Sequence, residues 1–158
     1  MNMELANLVD KNLLCITRLF YYGHLPYKED TIDESTHTAE VSSEEFINLR
    51  DIQSFLSEIY VEEEVDRLLF HCFEGKPLYF EEEGVLKISV DIASAAGLPR
   101  IWEDYSIEVE SADERRCEFL AKVRYIADKN CKGNEEETYH FSATKTTKWK
   151  LEKTVYLP

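Results

Sequence analysis

An α+β domain is predicted by three features of the sequence. Helical periodicity is confined to residues 1–75, a period of two dominates 76–158, and no internal repeat or Gly/Ser linker separates the halves. Helices first and antiparallel strands afterwards pack most simply as N-terminal helices on a curved antiparallel sheet. That is a cystatin-like or cone-like single domain over 1–158. With 158 residues, 44% of them hydrophobic, the chain is long enough to bury one core without disulfide staples.

In the first segment, ELANLVDKNLLCITRLFYYG, residues Leu5, Leu8, Val9, Ile16, Leu19 and Phe20 recur near helical spacing. Gly23 is the stop, so a helix is expected over 4–22. The acidic, aperiodic run 24–46 reads as a surface loop ending in a short strand or cap near 39–41. Two short helices follow. Ser42 or Ser43 is the expected N-cap of the first, with Glu44 and Glu45 in its opening turn and Ile52, Phe55, Leu56 and Ile59 as its apolar face. The second puts Val65, Leu68, Leu69 and Cys72 on one side and ends at Gly75 and Pro77.

After Pro77 the period changes to two. PLYFEEEGVLKIS is a hairpin whose turn is Glu83-Gly84, since glycine accepts the positive φ of a tight turn. Later strands are expected over 104–111, 117–128, 137–146 and 148–157, joined by the polar connections ADERR and KNCKGNEE.

Little in this pattern is chemistry-bearing. The triplet Glu81, Glu82 and Glu83 precedes Gly84, and adjacent strand residues point to opposite faces, so these carboxylates read as the solvated tip of the hairpin. The triplet 62–64 falls at a helix N-terminus, where negative charge is favoured, and 135–137 falls in a turn. His24, His37, His71 and His140 lack the i,i+4 pairing of a metal helix. Cys15, Cys72, Cys117 and Cys131 lack metal-ligand spacing and read as free, mostly buried thiols. His71 and Cys72 diverge by about 100° on a helix, which separates a nucleophile from its base. Cys72 is therefore expected in the core and His71 on the flank. No enzyme motif, metal site or cofactor is expected.

The net charge of −14 argues against a nucleic-acid partner, because phosphate binding needs clustered Lys and Arg. No apolar stretch approaches the roughly 20 residues needed to cross a membrane. The start, MNMELANLVDKN, shows no signal-peptide pattern. An extracellular or envelope location is expected if a leader has been removed, and a cytoplasmic one if Met1 is the true start.

One long connection stands out, DIASAAGLPRIWED over 91–104. Loops that interrupt a rigid sheet are where binding concentrates. Candidate partner-binding residues are Asp91, Ser94, Gly97, Arg100, Trp102, Glu103 and Asp104, with Arg100 and Trp102 of the types favoured at interface hot spots.

The order of parts, with Ile59-Tyr60, Pro77-Leu78-Tyr79, Gly84, Trp102 and Lys148-Trp149-Lys150-Leu151, resembles the bacterial DL-endopeptidase inhibitor family, the IseA-like proteins, over nearly the whole chain. The resemblance implies a non-enzymatic, secreted or envelope-attached monomer. It implies that the partner is a cysteine-type cell-wall endopeptidase, blocked by a loop entering its cleft. Two other functions are weighed against it. One is a small-molecule-binding cone domain with Tyr125, Tyr139 and His140 converging inside. The other is an acidic immunity-type protein that neutralises a basic partner.

Overall fold

The computed structural model describes residues 2–94, 96–126 and 135–156. Cys131, Ala95, most of the KNCKGNEE connection and the last residues of the strands expected to end at 128 and 157 lie outside them. The helices are α1 (Asn2–Arg18), α2 (Leu49–Ser57) and α3 (Glu62–Phe70). The strands are β1 (Thr38–Glu40), β2 (Tyr79–Glu82), β3 (Val85–Ser89), β4 (Trp102–Ala112), β5 (Arg116–Tyr125), β6 (Glu136–Lys145) and β7 (Trp149–Leu151). The domain is α+β with its helices N-terminal. Its strands divide between two antiparallel sheets, ordered β1-β3-β2 and β4-β5-β6-β7, where one curved sheet was expected.

α1 stops at Arg18, short of the expected residue 22. Tyr21 takes a left-handed φ of 72°, while the amides of Phe20 and Tyr22 turn back to the carbonyls of Cys15 and Ile16. Gly23 is the stop for a reason of space: a Cβ there would lie 2.0 Å from the Thr17 carbonyl oxygen. The cap of α2 also differs from expectation. It is Asn48, not Ser42 or Ser43. Asn48 Oδ1 accepts the Asp51 amide at 2.9 Å and Asp51 Oδ2 accepts the Asn48 amide at 3.3 Å, a reciprocal capping box. Ser43 instead closes a local turn by accepting the Phe46 amide. Glu81, expected at a wet hairpin tip, accepts the Leu49 amide at 2.8 Å and caps the same helix from across the fold.

The hairpin forms as expected. Glu82 pairs with Val85, and the intervening Glu83 and Gly84 have φ of 54° and 79°, the doubly positive signature of a two-residue turn matched to strand twist. In the larger sheet a strict alternation buries Cys117, Phe119, Ala121, Val123 and Tyr125 of β5 with Tyr139, Phe141 and Ala143 of β6. The opposite face is polar.

The helical half and the strand half meet at Leu151. Its amide donates to the Ile59 carbonyl at 2.7 Å and its carbonyl accepts the Val61 amide at 3.0 Å, so the α2–α3 junction is a short parallel neighbour of β7. β7 ends there, earlier than expected, because the amides of Thr154 and Val155 are taken by side chains: Glu64 Oε2 and Asn12 Oδ1.

Gly23→Ala is expected to destabilise the fold by about 1–3 kcal/mol through overpacking against Thr17, and Asn48→Ala by about 1 kcal/mol through loss of the cap. Urea unfolding midpoints at unchanged m-value measure both.

Candidate functional site

The connection from β3 to β4 is held to the rest of the chain by backbone hydrogen bonds at Val90, Gly97 and Ile101. The Val90 amide donates to the His37 carbonyl at 2.8 Å, and the Gly97 amide, at a φ of 72°, donates to the Tyr22 carbonyl at 2.9 Å. The Ile126 amide donates to the Ile101 carbonyl at 2.9 Å, extending the β4–β5 ladder by one rung.

Beneath the loop lies a polar lock. The Arg100 guanidinium sits 4.1 Å from the Tyr125 ring centroid, donates to Glu135 at 2.9 Å and pairs closely with Glu137. The hydroxyls of Tyr125 and Tyr139 both donate to Glu137 Oε2, at 2.8 and 2.7 Å, and lie in contact with each other. The hydrogen bond from Tyr139, joined by those from Tyr125 and Arg100, holds the Glu137 carboxyl below the usual carboxylate range. Trp102 stacks on Tyr139 at 5.5 Å and meets Tyr105 edge-on at 5.8 Å. The Tyr105 hydroxyl reaches α1 at Asp10 Oδ1 and the Ala6 carbonyl.

The sequence-predicted residues therefore divide. Arg100 is occupied within the chain, and the Trp102 ring packs inward with its indole N–H buried and without a hydrogen-bond partner among the described residues; Trp102 opens β4 two residues earlier than expected. Glu103 and Asp104 share Arg124, Glu103 at 3.1 Å. Asp91 and Gly97 are exposed and Ser94 is half-buried. Between them the exposed loop surface includes Pro99 and Ile101, and Ile101 is 56% exposed beside Ile126 at 43%. The residues expected to converge in a cone do so only in part. Tyr125 and Tyr139 meet at Glu137, whereas His140, one residue on, points to the opposite face, where its imidazole lies 3.7 Å from Glu110.

A second concavity, about 920 Å³, runs between α3 and the C-terminal segment, lined by Glu63, Arg67, His71, Lys153 and Tyr156 among others. Its wall contains a carboxylate of the triplet 62–64, expected only to favour a helix N-terminus. Glu64 is 4% exposed, bonds Arg67 Nε and accepts the Thr154 amide. Burial pushes this carboxyl up, but Arg67 and Thr154 outweigh it and hold it below the ordinary range. Nearby, the buried Asn12 amide donates to the Val155 carbonyl at 2.7 Å and its oxygen accepts the Tyr60 hydroxyl at 2.7 Å. The i,i+3 spacing of Glu64 and Arg67 is the one local signal, but the partners that bury Glu64 and Asn12, Thr154 and Val155, lie 90 and 143 residues away. Among the described residues Cys15, Cys72 and Cys117 are free thiols. Burial pushes Cys15 up to about 12 and raises the other two, so all three are poor nucleophiles at neutral pH. Cys72 is half-buried rather than in the core proper, and His71 is exposed as expected. Among the described residues no group of three or more His, Cys, Asp or Glu is arranged to hold a metal ion.

Arg100→Ala is expected to raise amide exchange at Gly97 and Ile126 roughly tenfold, with little change at β6. The lock is also acid-sensitive. Glu137 titrates lower folded than unfolded, so its contribution is complete above the unfolded pKa of about 4.3 and is lost as pH falls through the lower folded value. The Trp102 indole NMR signal should hold steady from pH 8 to 5 and move below about 4, and Glu137→Gln should remove that transition. Glu64→Gln should cost about 2 kcal/mol, read by chemical unfolding.

No protein-family model matches the chain, and no curated protein matches it in sequence, so the functional reading grows from this geometry and from the motifs of the chain itself.

Proposed function

We propose that the protein is a non-enzymatic binding protein that occludes an enzyme's cleft with the loop over 91–101. The observation that carries this reading is the lock at Arg100. Its guanidinium is held by Glu135, Glu137 and the Tyr125 ring, so the loop presents Pro99 and Ile101 from a braced base. A loop held in this way at its Arg100 end loses less conformational entropy on docking, which favours affinity without a large interface. Ile101 with its neighbour Ile126 supplies an apolar anchor, and exposed carboxylates lie near it in sequence at Asp91, Glu103 and Asp104, the last two shared with Arg124.

The target class comes from the resemblance noted above: a cysteine-type endopeptidase that cleaves cell-wall peptides. The net charge of −14 supports a partner with a basic groove, where complementary charge raises the association rate more than the affinity. No described helix is long and apolar enough to cross a membrane. On this reading the protein acts as a monomer outside the cytoplasm or at the cell envelope, without a cofactor.

Muropeptide cleavage by an NlpC-type endopeptidase, assayed with excess protein, should be suppressed. Ile101→Asp should weaken suppression at least about tenfold while leaving the melting temperature unchanged. Full cleavage across several such enzymes would remove the inhibitor reading.

A further inference from the structure

We propose that the notch between α1 and the β6–β7 turn is a binding site for a small oxyanion, phosphate or a phosphate group carried on a larger molecule. It stands apart from the loop and does not depend on the inhibitor reading. The notch has a volume of about 170 Å³ and is lined by Lys11, Lys145, Lys148, Asn7, Thr147 and Trp149 together with Glu4 and Glu58.

Charge is the first argument. The notch gathers three of the chain's lysines in one place, although the chain carries 32 acidic residues. Lys148 has a carboxylate partner in Glu58. Lys11 and Lys145 line the notch without a carboxylate within ion-pair distance among the described residues, as do Lys76, Lys150 and Lys153 elsewhere, although Lys11 acts at longer range on Glu58. Lys145 Nζ sits instead 5.7 Å from the Trp149 ring centroid. The whole-molecule field repels anions, so a local group of cations is the arrangement that can hold one.

Geometry is the second. Trp149 is 7% exposed and forms an apolar wall that lowers the local dielectric and strengthens the ammonium fields. The Asn7 amide and Thr147 hydroxyl are neutral donors suited to the remaining oxygens of a tetrahedral anion. A volume equal to the liquid share of about five or six waters holds phosphate with part of its hydration shell; the remainder of a nucleotide or a lipid would project outside. Three ammonium groups against two carboxylates leave a modest net positive charge, so the affinity expected is millimolar or somewhat tighter.

The test is titration of the ¹⁵N-labelled protein with inorganic phosphate at constant ionic strength, sodium chloride compensating. Saturable shifts are expected at the Trp149 indole and the amides of 145–149. They should be lost in Lys11→Gln/Lys145→Gln, or in the exposed Lys145→Gln alone should the double variant unfold, and kept in Lys153→Gln. With saturation observed, flotation on phosphatidylglycerol-containing vesicles assigns the group to a lipid headgroup, and its absence to a soluble phosphate compound. Shifts that track chloride equally, or no saturation into the tens of millimolar, overturn the proposal.

Discussion

The fold depends on a backbone splice. Leu151 offers its amide to Ile59 and its carbonyl to Val61, so the last strand of the large sheet also carries the junction of the two short helices. It gives the junction of the two short helices a backbone hold on the large sheet that apolar packing, which tolerates sliding, does not supply. The splice is buried: Leu151 and Ile59 are each 0% exposed, where an unmade amide hydrogen bond costs about 1–3 kcal/mol. Asn12 continues the logic next door. Its side-chain amide gives and takes hydrogen bonds with Val155 as a strand neighbour would, and fastens the C-terminal segment to α1.

An acidic chain has a problem of placement, and this one solves it by giving some carboxylates backbone partners. Asp51 and Glu81 serve the N-terminus of α2, where free amides and the helix dipole favour negative charge. Glu64 binds the Thr154 amide and Arg67 together. Glu137 gathers two phenols and a guanidinium. These four carboxylates are structural, and the rest of the acidic surface remains available to set the long-range field.

The β3–β4 loop is informative for the same reason. A long connection between two sheets would ordinarily be mobile. Here Arg100 and Trp102, the two residue types that look most like partner anchors, are spent on bracing it from below. The outward surface passes to Pro99 and Ile101, which are small in chemical interest and large in exposure. The face of the large sheet turned away from the core carries alternating cations and carboxylates such as Lys122 with Glu108 and Arg116 with Glu118, a pattern that keeps an uncovered sheet soluble.

Local pattern alone determined the class of the fold, the number of helices, the hairpin at Glu83-Gly84 and the core alternation of β5 and β6. Each follows from periodicity or from one residue's φ preference, which act within a few positions. Tertiary structure decided the rest. It split the strands into two sheets, moved the cap of α2 to Asn48, buried Glu64 and Asn12, and turned Arg100 and Trp102 inward. Those outcomes depend on partners far along the chain, and a carboxylate or guanidinium carries no mark of whether its partner will be water or a buried amide. That choice is made by which desolvation costs the packed core can offset with a hydrogen bond.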